Sequence, residues 1–337
     1  MRNESALAPY PTDDGLAGIA RTRADRGPGM VNIIACPLMH GTGSMTAITT
    51  LTNGGCVVLL RDKGFDPIEL FDTVEAGRAA GVVLVGDTFA QPMAVALEGA
   101  PTRWDLASLR ILSSSGMWSE PVKAILRAHL PHAVLIDALG SSEAIGMGSS
   151  VSGGGTSSAT AQFSLGANAV VIDDGQPIAP GSATVGRVAV RGRCPIGYHK
   201  DPARTAATFP VIDGVRHSVP GDHATIAADG TIHLLGRGSS VINTSGEKVF
   251  AEEVEEVLKT FGGVLNAGVV GIDDDRFGSI VTAVVVPLAG TDLDIDALRQ
   301  HTRSHLAGFK VPKHIVVATS LGRAANSKLD PAPSACS

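Results

Sequence analysis

Residues 56–85 read CVVLLRDKGFDPIELFDTVEAGRAAGVVLV. Two short runs rich in valine and leucine, 56–60 and 82–85, stand on either side of a helix-compatible segment at 67–80. Short runs that are apolar throughout suit buried strands, and buried strands alternate with helices where the sheet is parallel. The rhythm continues with β-rich runs at 110–113 and 133–136 and a helix-compatible segment at 120–130, a repeat of about 25 residues that fits strand–helix units. A mainly parallel sheet with helices on its faces is the expected α/β architecture.

Upstream, residues 1–30 have no apolar period and several turn formers, which predicts a loose segment. Downstream, 149–161 carries the run Ser152-Gly153-Gly154-Gly155-Thr156-Ser157-Ser158 and reads as a surface loop. From about 165 to 236 the pattern changes to short strands, among them 186–191, 224–227 and 231–235, with Asp229-Gly230 as a turn. A small β-rich subdomain is expected there. Beyond Arg237 a helix places Phe250, Val254, Val257, Leu258 and Phe261 on one face and Glu252, Glu253, Glu255 and Glu256 on the other. Strands at 268–272, 280–286 and 314–318 and a helix at 294–306 complete an α+β domain. The expected division is therefore 1–30, 31–236 and 238–337.

A chain of 337 residues has length for about two domains. Its 44% hydrophobic, 18% charged composition is that of a soluble globular protein, and no run approaches the roughly 20 apolar residues of a membrane span. The first thirty residues hold arginines but no apolar core, so no signal peptide is expected and the cytoplasm is the default location. The charge of −6 is spread over both signs without a basic stripe, which argues against nucleic acid as the main partner. Cys36, Cys56, Cys194 and Cys336 lack the paired spacing of zinc or redox sites and read as reduced thiols.

Taken singly, the candidate site residues are open to ordinary readings. His40 is a ligand, a base or a plain polar loop residue. Glu143 is a metal ligand, a cap or a solvated side chain. Asp222 is a sugar-diol acceptor or part of a Gly-Asp turn. Lys328 by composition is a surface lysine.

Order and spacing join these candidates. The pieces are Pro37-Leu38-Met39-His40-Gly41, Ser115-Gly116-Met117, Ala138-Leu139-Gly140-Ser141-Ser142-Glu143, and Gly186-Arg187-Val188 through Gly192. They continue with Gly197-Tyr198-His199-Lys200-Asp201-Pro202, then 205–209, Val219-Pro220-Gly221-Asp222, and the long stretch from Leu235 through Val249. In that order they resemble the motifs of the AMP-forming adenylate family, the acyl-CoA synthetases and related ligases, from about Met30 to Asp330. The wording Asn243-Thr244-Ser245-Gly246-Glu247-Lys248 is most similar to actinobacterial ligases for fatty and steroid side-chain acids.

The resemblance implies a partial adenylate-forming large domain, made of a parallel sheet and a small β-rich subdomain, followed by a mobile α+β C-terminal domain. It also implies a reaction in which ATP adenylates a carboxylic acid and CoA then takes the acyl group, with ATP, Mg2+ and coenzyme A as cofactors. By the same resemblance Glu143 holds Mg2+ and Ser142 meets phosphate. Ser115-Gly116-Met117 and Leu139, which stands where an aromatic is usual, border adenine. Asp222 and Arg237 take the ribose, and Lys328 bridges carboxylate and α-phosphate. Ser239 is the hinge, His40 lines the acyl or pantetheine channel, and Gly246 and Lys248 face CoA. Ser327 and Gly322 replace the glycine and proline usual around that lysine.

The family's Ser/Thr/Gly-rich phosphate loop ending in Pro-Lys-Gly has no counterpart before His40, and the 152–158 run, which lies after Glu143 and lacks a lysine, does not replace it. A truncated chain is expected on this ground, with the ending 331–337 also unlike the family. Two readings follow: a ligase that is active only weakly, or only with a complementing N-terminal chain or as a homo-oligomer, and an inactive fragment retaining at most nucleotide or CoA binding. A dinucleotide dehydrogenase is disfavoured, because no Gly-x-Gly-x-x-Gly follows the first strand.

Overall fold

The computed structural model describes residues 15–61, 64–116, 118–153, 161–192, 194–274, 276–288 and 290–321. The chain divides into two compact units. The first runs to Ser182 and adds Val188–Pro220 and Ile226–Ile232, while the second takes Ala183–Arg187, Gly221–Thr225 and the chain from His233.

The first unit begins with a helix, α1 (Gly15–Arg26), which corrects the expectation of a loose segment over those residues. Three alanines and three arginines make up half of it, and these lose little on becoming helical. Arg23 lies over the turn at Gly54, where a Cβ would come within 2.8 Å of its Cδ. Then come β1 (Val31–Ile34), α2 (Gly41–Thr52), β2 (Cys56–Leu59), α3 (Pro67–Gly77), β3 (Gly81–Leu84), α4 (Asp87–Gly99), β4 (Ile111–Ser114), α5 (Glu120–His129) and β5 (Val134–Leu139). Asp66 caps α3 by accepting from Ile68 N at 2.8 Å, with Pro67 in the first turn where its missing N–H costs nothing.

The five strands pair in parallel in the order β2-β1-β3-β4-β5. Because the chain steps from β1 to β2 and then back across to β3, right-handed crossovers put α2 on one face and α3, α4 and α5 on the other. The side chains agree. Ile33 and Val82 pack with Leu70, Phe71, Met93 and Leu126, whereas their neighbours Ile34 and Val83 pack with Ala47 of α2.

Two antiparallel strands extend the sheet, β6 (Gly148–Ser152) on β5 and β7 (Gln162–Leu165) on β6. This corrects the expectation of a loop from residue 149. Gly148, Ser150 and Ser152 alternate inward, and Ser149 and Val151 face outward. Residues 154–160 of the low-complexity run lie outside the described residues. The β-rich part follows as β8 (Ala169–Asp173), β9 (Gln176–Pro177), β10 (Gly186–Arg191), α6 (Pro202–Thr208), β11 (Val211–Ile212) and β12 (Val215–Ser218).

In the second unit, β13 (Asp222–Ile226) starts beside Gly186 and Arg187, and β14 (Thr231–Arg237) leads into β15 (Val241–Thr244) and β16 (Glu247–Phe250). After α7 (Ala251–Lys259) come β17 (Val264–Asp274), β18 (Gly278–Pro287), α8 (Ile295–His305) and β19 (His314–Val317). β18 is the spine, antiparallel to β17 along its length, meeting β15 at Gly278 and parallel to β19 from Thr282. Val254 and Leu258 of α7 and Leu298 of α8 pack on Val269, Val281, Ala283 and Val285. The acidic face of α7 is not simply solvated. Glu255 is buried and accepts from the outward N–H of Val269 at 2.9 Å on the edge strand, and Glu253 pairs with Lys310 at 2.7 Å. No helix among the described residues is long and apolar enough to cross a membrane.

Candidate functional site

In the first unit the strand order reverses at β1, and in open parallel sheets the crevice at the carboxyl ends beside such a reversal is where ligands gather. Three of the singled-out segments end there. His40 is the half-buried cap residue of α2, without a side-chain capping bond. Two residues on, the Thr42 hydroxyl is hydrogen-bonded to that of Ser115, which follows β4. Ser114 Oγ, at the end of β4, accepts from Gly86 N at 2.8 Å and donates to the carbonyl of Gly116 at 2.8 Å. Asp87 then accepts from Ser119 N at 2.8 Å, so the loops after β3 and β4 hold each other. Gly116 is exposed, and Met117 lies outside the described residues.

β5 runs into a tight turn closed by Ser141 N–H to Ala144 O at 2.9 Å. Leu139 is only 9% exposed and offers an aromatic ring little surface. Ser142 is exposed, close enough to α2 that a Cβ on Gly41 would come within 3.0 Å of its Oγ. Glu143 is held at both ends: its carbonyl accepts from Ser218 Oγ at 2.7 Å, and its Oε1 accepts from the Tyr198 hydroxyl at 2.7 Å with Arg204 Nη2 at 4.0 Å. The Arg204 guanidinium stands 4.1 Å above the Tyr198 ring. Burial pushes the Tyr198 phenol above its ordinary value, and donation to the Glu143 carboxylate adds to that.

In the second unit Asp222 is 6% exposed at the start of β13. Its Oδ1 accepts from Arg237 Nε at 3.2 Å, while its buried Oδ2 has no partner among the described residues. A buried carboxylate oxygen without a donor is costly, so it marks a place where an incoming hydroxyl would be bound. Around this pair the backbone folds tightly, with Gly238 N donating to Gly221 O at 3.0 Å. Glu252, from the first turn of α7, reaches under Gly236, where a Cβ would come within 2.3 Å of its Oε2, so only glycine fits. Burial raises the Glu252 carboxyl above its usual range, and burial lowers the His223 imidazole, which packs on Phe250 at 5.2 Å.

Ser239 falls in the short turn Gly238–Ser240 immediately after Arg237. Gly246 and Lys248 are exposed at the tip of the β15–β16 hairpin, whose turn residues Ser245 and Gly246 have φ of 54° and 84°. Lys328 lies outside the described residues. The structure thus gathers His40, Gly116, Ser142 and Glu143 at one sheet edge and pairs Asp222 with Arg237. Tyr198, Arg204, His223 and Glu252 had no role from sequence reasoning. Tyr198 lies 55 positions from Glu143, and no local period signals that contact.

Residues 253–328 match the family described as AMP-binding enzyme C-terminal domain. Over 319 residues the chain is 37% identical to a medium/long-chain-fatty-acid–CoA/3-oxocholest-4-en-26-oate–CoA ligase of Mycolicibacterium smegmatis, covering 93% of this chain and 57% of that one. It is 38% identical to a 3-oxocholest-4-en-26-oate–CoA ligase of Rhodococcus rhodochrous, covering 90% of this chain and 56% of that one. The chain therefore spans a little over half the length of these relatives. Among solved structures, the amide bond synthetase McbA from Marinactinospora thermotolerans superposes with a TM-score of 0.76 at 27% identity, covering 93% of this chain and 63% of that one. ATP-bound MatB from Rhodopseudomonas palustris shares the fold with a TM-score of 0.72 at 24% identity, covering 94% of this chain and 62% of that one.

Proposed function

From the premise that the chain belongs to the family of AMP-forming acyl-CoA ligases, we propose that it binds an acyl-adenylate and serves the ligation of a fatty or steroid side-chain carboxylic acid to coenzyme A. The observation that carries this reading is the Asp222–Arg237 pair, with one buried carboxylate oxygen satisfied by the guanidinium and the other without a donor among the described residues. A ribose diol supplies hydroxyl donors of the kind that such an oxygen accepts.

In the first half-reaction a carboxylate oxygen attacks the α-phosphorus of ATP and pyrophosphate leaves. In the second the CoA sulfur attacks the acyl carbon and AMP leaves. Both steps gather negative charge, so oriented donors and cations lower the barrier. Asp222 and Arg237 orient the sugar, Ser142 donates to phosphate, and Ser115-Gly116-Met117 with Leu139 borders adenine. Lys328 neutralises the carboxylate and α-phosphate as they meet, and His40 lines the acyl or pantetheine channel. Gly246, at the tip of the β15–β16 hairpin, and Lys248, just beyond it, serve CoA after the C-terminal domain turns about Ser239.

Mg2+ commonly takes one or two carboxylates and fills its remaining positions with phosphate oxygens and water, so a single well-oriented carboxylate at Glu143 fits it. Among the described residues no group of three or more His, Cys, Asp or Glu side chains forms a protein-only cage. When bound, the ion would offset charge on the leaving pyrophosphate.

The test is calorimetric titration with a non-hydrolysable acyl-adenylate analogue, comparing the chain with its Asp222→Ala variant. Micromolar binding that the substitution abolishes is expected. A folded chain that leaves the analogue unbound overturns the reading.

A further inference from the structure

We infer that Tyr198 is a positioning residue, whose hydroxyl fixes the rotamer of Glu143 so that the carboxylate meets a divalent cation carried in by ATP. The inference rests on the reading of Glu143 given under Proposed function and goes beyond it, because Tyr198 itself would touch neither nucleotide nor metal.

The geometry that supports it is built from several independent constraints. Glutamate has three rotatable side-chain bonds, and holding one rotamer for an incoming ion costs entropy unless a neighbour does so beforehand. Here the Glu143 backbone is pinned through its carbonyl by Ser218 Oγ at 2.7 Å, and its carboxylate is pinned separately by the Tyr198 hydroxyl at 2.7 Å. Tyr198 is itself fixed. Its N–H donates to Thr205 Oγ1 at 2.9 Å, its ring centroid is 5.7 Å from that of Phe209, and the Arg204 guanidinium stands 4.1 Å over the ring. The cap that Asp201 makes to Arg204 N at 2.9 Å starts α6, and α6 carries both Arg204 and Thr205. The segment 197–209 therefore folds into a bracket whose inward polar tip is one phenolic hydroxyl on one carboxylate. Partners that orient a metal ligand in this way change affinity about 10–100-fold when removed.

The test uses the full chain with Mn2+ as a paramagnetic probe and ATP as the nucleotide. Mn2+ affinity in the presence of ATP is read by electron paramagnetic resonance, and ATP affinity in EDTA is read by calorimetry. Tyr198→Phe, which keeps the ring and its stacking, is expected to weaken Mn2+ at least about tenfold and to leave ATP affinity in EDTA unchanged. Arg204→Gln, which keeps the hydroxyl, is expected to change Mn2+ affinity less than about threefold. If Tyr198→Phe does not fold, Thr205→Val, which frees the Tyr198 backbone from its side-chain anchor, is read in its place with the same expected split. Unchanged Mn2+ affinity in Tyr198→Phe overturns the inference, as does an equal loss of ATP and Mn2+ affinity, which would make the residue merely structural. A Glu143→Gln variant that keeps wild-type Mn2+ affinity shows instead that Glu143 is not the ligand, and wild type that binds no ATP shows that the underlying reading fails. The inference falls with either.

Discussion

Lys123 Nζ in α5 lies 2.5 Å from Asp137 Oδ2 in β5, and the two side chains are 1% and 8% exposed. The pair ties the last helix of the parallel layer to the strand that delivers Ser142 and Glu143. Removing one member leaves a buried charge without its counterion, which costs about 3–5 kcal/mol, whereas replacing both with apolar groups of similar volume is often neutral. Lys123→Met should therefore shift urea unfolding by about that amount, and the double variant Lys123→Met, Asp137→Leu should recover most of it. A single variant as stable as wild type would show that the pair is not held.

Arg237 donates to one oxygen of Asp222, and a hydrogen bond to a charged group contributes about 1.5–3 kcal/mol. Arg237→Gln should weaken binding of the acyl-adenylate analogue by about ten- to a hundredfold, while the glutamine amide can still donate to the buried Asp222 oxygen and so limits the loss of stability. Equal affinity would detach Arg237 from the ribose.

The cysteines should separate by reactivity. Cys56 is exposed, whereas Cys36 is buried and its thiol is pushed up to about 11, and burial also raises Cys194. At pH 8 the thiolate is the reactive form, so peptide mapping after brief alkylation should find label on Cys56 well before Cys36 or Cys194. Early label on Cys36 would mean that α2 opens readily.

Stability should depend on pH through His223 and Glu252 in opposite senses. Burial lowers the His223 imidazole from 6.5, so the unfolded chain binds the proton first and stability falls as pH drops from about 6.5 through the folded value. His301, also lowered, acts the same way. Burial raises Glu252 from 4.5, so its contribution is full below that value and is lost as pH rises through the folded one. Melting curves from pH 7 to 5 should flatten in His223→Gln; an unchanged slope would locate the titration elsewhere.

The β15–β16 hairpin turns through Ser245 and Gly246, both at positive φ, the geometry of a type I′ turn. Gly246→Val should cost about 1–2 kcal/mol in this second unit, because a side chain in the left-handed region is crowded by its own carbonyl. Loss of CoA binding without loss of stability would instead point to close approach of the ligand to the protein backbone at Gly246.

Much of the fold was legible because its signals are local. The apolar runs at 56–60 and 82–85 became β2 and β3 within a residue or two, and the apolar face of the helix after Arg237 became α7. Where reading failed, neighbours distant in sequence decided. Ser149, Ser150 and Ser152 have weak strand preference of their own and are strand because β5 offers an edge to pair with. Glu255 looked like a surface carboxylate and is buried because the edge strand β17 presents an N–H that needs an acceptor.

By itself the sequence determined the order of most strands and helices and which side chains are candidates for chemistry, since periodicity and motif order are properties of neighbouring positions. Only the tertiary structure decided which of those residues meet. That Asp222 keeps one oxygen without a donor among the described residues, that Glu252 lies beneath Gly236, and that the Tyr198 hydroxyl is on Glu143 all depend on contacts across 15 to 55 positions. Such contacts are set by how packed elements exclude water, and no local pattern of side chains encodes them.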